Sequence, residues 1–64
     1  MRFIDCLRIL PVISLVCYSM PDGTMNTSRV GDMFVKGFDS DLKRFQVSIL
    51  SAVENNKFFV LLSN

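Results

Sequence analysis

The chain has no histidine and no tryptophan, and its 64 residues include only two cysteines, two prolines and three glycines. The missing histidine removes the one side chain that titrates near neutrality unperturbed, and with it ordinary imidazole acid–base catalysis. Two cysteines without a histidine leave a structural zinc site short of ligands. Charge is scarce as well: 20% of the residues are charged and the formal net charge is +1. Arg2, Arg8, Arg29, Lys36, Lys43, Arg44 and Lys57 are scattered among six acids, not gathered on the basic face that nucleic-acid binding needs. No apolar run approaches the roughly 20 residues of a membrane-crossing helix.

Half of the residues are hydrophobic. That excludes disorder, which needs low hydrophobicity and high net charge. A chain this short makes one small domain, burying only about 60% of the surface its unfolded state exposes. Cys6 and Cys17 stand eleven positions apart. On a continuous helix they would lie roughly 16 Å apart, whereas a disulfide needs Cα atoms within about 7 Å. The expectation is two free thiols in a reducing compartment.

Three stretches divide the chain. Residues 1–20 form a hydrophobic N-terminal segment, uncharged from Ile9 to Met20. Arg2 and Arg8 ahead of that run, with Cys17-Tyr18-Ser19 as a small-x-small site, fit a secretory leader covering residues 1–19. Asp5 among the basic residues and Pro11 inside the apolar run favour a buried helix or strand of a cytoplasmic α/β domain, with Pro11 ending or kinking a helix. Residues 21–32 read as a polar loop. Pro21-Asp22-Gly23 has turn chemistry, and Asn26-Thr27-Ser28 is a glycosylation sequon that matters only if the chain is secreted.

Residues 33–64 carry a foldable pattern. Met33-Phe34-Val35 suits a brief buried strand over 33–35. Lys36–Ser40 reads as a loop, and Asp39 or Ser40 can cap a following helix. Leu42, Phe45, Ile49, Ala52 and Val53 follow the spacing of one helix face, predicting a helix over 41–54. Phe45, Val47 and Ile49 also alternate with Arg44, Gln46 and Ser48, so a hairpin turning at Glu54-Asn55-Asn56 is the alternative. Phe58–Leu62 is an unbroken apolar run, predicting a strand over 57–62 covered on both faces. The expected fold class is α/β, with one strand–helix–strand unit and an N-terminal hydrophobic helix or strand.

Ile49–Ser63, ILSAVENNKFFVLLS, resembles the Toll/interleukin-1 receptor (TIR) domain family, where a helix of this kind runs into a buried strand closed by serine. Met33–Phe45 resembles the preceding strand and the BB loop, most like the axon-degeneration branch, whose members cleave NAD. The likeness covers about Gly31–Asn64. It implies a truncated flavodoxin-like sheet, cytoplasmic signal transduction as in innate immunity, and association with other TIR domains or with a second copy. The contact residues it implies are Lys36, Gly37, Phe38, Asp39, Asp41, Lys43 and Arg44, with Phe38 as the apolar anchor. The resemblance also implies NAD as a substrate, but the family's catalytic glutamate lies on a helix after the closing strand. No residue here is assigned to catalysis, a cofactor or a metal. The chain is expected to be a fragment of a TIR-like protein, with two alternatives: part of an NAD-cleaving enzyme, or a small secreted or membrane-associated peptide.

Overall fold

A computed structural model describes residues 1–64. Seven elements follow one another: α1 (Phe3–Ile9), β1 (Leu15–Ser19), β2 (Met25–Arg29), α2 (Val30–Lys36), α3 (Ser40–Arg44), β3 (Gln46–Glu54) and β4 (Lys57–Ser63). The strands form one four-stranded sheet in the order β2-β1-β4-β3. β1 runs antiparallel to β2 and parallel to β4, and β3 runs antiparallel to β4. The class is α/β, as expected.

The N-terminal segment supplies both a helix and a strand. Phe3, Cys6 and Leu7 recur at helical spacing and are buried. The helix stops because Leu10, ahead of Pro11, takes an extended conformation (φ −89°, ψ 147°). In β1 the alternation of LVCYS buries Val16 and Tyr18. The turn chemistry of Pro21-Asp22-Gly23 then acts as expected. The Asp22 carboxylate accepts from the Thr24 N–H at 2.8 Å, and Gly23 sits at φ +94°. Beyond it, the stretch 21–32 is not a loop throughout, since Met25–Arg29 pairs with β1 as the outer strand β2.

Two elements differ from the sequence reading. Met33–Val35, expected as a strand, lies in helix α2. Val30 and Met33 are three apart and both buried, so a helix seats both against the core where a three-residue strand would seat one side chain in two. Residues 41–54, expected as one helix, divide into the short α3 and the strand β3. Asp39 caps the helix as expected, accepting from the Leu42 N–H at 2.9 Å, but the helix ends at Arg44. From there the hairpin alternative holds, turning at Asn55-Asn56 with Asn56 at φ 58°. β4 offers β3 a complete hydrogen-bonding edge, and the β-branched Val47, Ile49 and Val53 suit a strand better than a helix. The strand over 57–62 stands, extended to Ser63, but helices cover only one of its faces and not both as expected. The unit joining 33–35, 41–54 and 57–62 therefore does not form; the one parallel pairing is β1 with β4. The sheet is mixed, not the parallel flavodoxin-like sheet that the resemblance implies.

The core is a single cluster on one face of the sheet. Val16, Tyr18, Val60 and Leu62 project from the central strands against Phe3, Cys6 and Leu7 of α1, Val30 and Met33 of α2, and Phe45. Leu15, Cys17, Phe59 and Leu61 alternate onto the opposite face, where no helix packs. No helix is long and apolar enough to cross a membrane.

Candidate functional site

On the helix-covered side, an open groove of about 540 Å³ lies between the β1–β2 pair and the segment joining α2 to α3. Its apolar lining is Tyr18, Met20, Met33, Phe38 and Leu42. The sheet register explains the polar part: Asn26 pairs with Tyr18 and Ser28 with Val16, so both face the helices. Lys36, Gly37 and Asp39 complete the wall.

Local chemistry sets this shape. Gly37 ends α2 at φ 88°, ψ 172°, a conformation only glycine takes without strain, and its N–H donates to the Met33 carbonyl at 2.9 Å. The chain turns there and carries Phe38 back over the core. Phe38 is half-buried and meets Phe34 edge-to-face, ring centroids 5.4 Å apart at 82°. Tyr18 is fixed from below by Phe3, its ring centroid 5.1 Å away.

The groove thus gathers Lys36, Gly37, Phe38 and Asp39 of the sequence-predicted contact residues. It leaves out Asp41, Lys43 and Arg44, which lie exposed on α3, where Arg44 holds Asp41 in an ion pair at 2.7 Å. Tyr18, Met20, Asn26, Ser28, Met33 and Leu42 are not legible as site residues in the sequence. The first four come from a hairpin whose second strand carries no hydrophobic alternation in the sequence, Met33 reads as a strand residue, and Leu42 reads as part of a helix's core face.

A second groove, of about 350 Å³, lies on the bare sheet face. Leu15, Cys17, Val53, Phe58 and Phe59 make it mostly apolar, with Thr27 and Lys57 at its rim. Cys17 is half-buried there, whereas Cys6 is fully buried in the core, where loss of solvent pushes its thiol pKa up.

The first groove carries one carboxylate and two hydroxyl groups. Its only carboxylate, Asp39, already accepts the α3 cap bond. Its hydroxyls, on Tyr18 and Ser28, have no imidazole to activate them. Nowhere do three or more acidic or cysteine side chains converge as a metal-ligand set. No family model matches the chain, and no curated protein or solved structure matches it.

Proposed function

We propose that this chain is a protein-association module that seats an apolar side chain of its partner in the groove beside Phe38. One observation carries the reading: an apolar floor and a charged rim of Lys36 and Asp39 meet in a groove of about 540 Å³. That volume lies within the range of about 300–1,000 Å³ typical of ligand pockets. The likeness of Ile49–Ser63 to TIR domains is one of sequence alone, since the segment folds as a hairpin and not as a helix entering a strand; it suggests another TIR domain as the partner and cytoplasmic signalling as the setting. It also suggests NAD cleavage as the rival activity. Association is the better supported of the two, because the one acid in the groove is committed to capping α3.

The test is surface plasmon resonance of the 64-residue chain against an immobilised, purified TIR domain. Phe38→Ala is expected to weaken binding about tenfold or more, as loss of an aromatic anchor does. Lys43→Ala, outside the groove, is expected to leave affinity within about twofold. Far-UV circular dichroism establishes that both variants fold. Equal binding by wild type and Phe38→Ala removes the groove as the contact, and no binding by wild type removes the TIR partner.

A further inference from the structure

We infer that β3 is a self-association edge, and that two copies of this chain pair antiparallel through it to make one continuous eight-stranded sheet. The inference concerns a different surface from the Phe38 groove and stands without it.

β3 is the outermost strand, satisfied on its inner side by β4 along its length. On its outer side only the first residues are covered. The Phe3 N–H donates to the Phe45 carbonyl at 3.0 Å, the Val47 N–H donates to the Met1 carbonyl at 2.7 Å, and Arg2 bridges to Gln46. From Ser48 to Glu54 the outer edge has no hydrogen-bonding partner. Sheet proteins ordinarily blunt such an edge with charge, proline or a β-bulge. Here Gln46 to Val53 contains no charge or proline, its two bulges fall towards the ends of the free stretch, and Ile49 and Val53 are 52% and 63% exposed. The other edge, β2, is shorter and polar, MNTSR, and ends in Arg29.

The choice of a second copy follows from the ends of the free stretch. The segment Met1–Phe3 blocks one end and the Asn55-Asn56 turn closes the other. A two-fold partner limited by the same two stops can use the whole edge in one register, centred on Ser51. That register sets Ile49 opposite Val53 of the other copy and Ser51 opposite its own counterpart. Glu54, the one charge in the strand, falls opposite the neutral Ser48 and is already 3.9 Å from Lys57 of its own hairpin. No like charges meet, and apolar residues face apolar ones. The pairing is isologous, so it consumes both edges and closes at two copies. The two irregularities of β3, at Val47/Ile49 and Ala52/Glu54, flank a regular run, Ile49–Ala52, that contains the two-fold point at Ser51.

The experiment uses the full 64-residue chain in sedimentation equilibrium across a concentration series. A mass rising from 7.3 kDa to twice that value, and no further, is expected. Ser51→Lys sets two like charges on the two-fold axis and is expected to hold the chain at monomer mass. Phe38→Ala is expected to leave the dimer intact, which separates this edge from the groove. Register is read by disulfide trapping in a Cys17→Ser background. Ser51→Cys is expected to cross-link to itself on oxidation, since paired Cα atoms lie about 4.5–5.5 Å apart. Ile49→Cys alone is not expected to cross-link. The trapping result also covers the case in which Ser51→Lys fails to fold. A wild type monomeric throughout, growth past two copies, a dimer indifferent to Ser51→Lys, or trapping at position 49 and not 51 would overturn the inference.

Discussion

Ser14 shows how much one atom can weigh in a core this small. Its side chain is fully buried and its Oγ has no hydrogen-bond partner, while its backbone carbonyl accepts from the Val30 N–H at 2.9 Å. A buried hydroxyl without a partner costs about 1–3 kcal/mol. Ser14→Ala keeps the backbone bond and removes the orphaned group. It is expected to stabilise the fold by about that amount, read as a higher denaturant midpoint at unchanged slope. A lower midpoint would mean that the hydroxyl has a partner, such as a bound water. Phe3 weighs in the opposite direction. It is fully buried, packs at a tilt against Tyr18, and its N–H ties α1 to Phe45, just ahead of β3. Phe3→Ala is expected to lose about 3–5 kcal/mol, enough to unfold most of a marginal domain at room temperature by circular dichroism.

At the scale of elements, the β3–β4 turn decides where everything after Phe45 goes. Asn56 occupies the left-handed region at φ 58°, and its carbonyl accepts from the Leu15 N–H at 2.9 Å, pinning the turn to β1. Asparagine tolerates that conformation better than other side-chain-bearing residues. Asn56→Ala is expected to destabilise the hairpin by about 1 kcal/mol and Asn56→Gly to leave it within a few tenths. Chemical denaturation of the two variants side by side checks the difference. Equal midpoints would mean that the turn is held by its strands and not by its own conformational preference. Helix α2 depends on its end in a similar way. Gly37 lets the chain reverse and return Phe38 over the core, so the groove wall and the helix terminus are one structural event.

For the whole molecule, two exposed carboxylates that are bonded locally contribute to the acid limb of stability. Arg2 donates to Asp5 at 3.0 Å, and that bond holds the Asp5 pKa below its usual value. The Thr24 N–H does the same for Asp22. Both groups have lower pKa values folded than unfolded, so the unfolded chain takes up protons first as pH falls. Their contribution is complete above the ordinary carboxylate range near pH 4 and is lost as pH drops through the lowered folded values. The melting temperature is therefore expected to fall below about pH 4, and Asp5→Asn with Asp22→Asn to flatten that fall. An unaltered slope in the double variant would place the acid sensitivity elsewhere.

Local chemistry was readable from the residues alone: the Pro21-Asp22-Gly23 turn, the Asp39 cap, the closing strand and the α/β class. Each depends on a few adjacent side chains and their own backbone. Four of the groove's ten lining residues, Lys36 to Asp39, lie in the stretch that the resemblance marks for contacts. Only tertiary structure decided between helix and strand after Phe45. Helical and strand spacing coexist in Leu42–Val53, and the choice falls to the strand because β4 is there to pair with it. The strand Met33–Val35 failed likewise, since Val30 needed a core to turn toward before three-residue spacing carried meaning. β2 has no hydrophobic alternation of its own and exists because β1 offers an edge. Where a segment's backbone bonds close within itself, its sequence specifies it; where they close on a distant strand, the fold must supply the partner first.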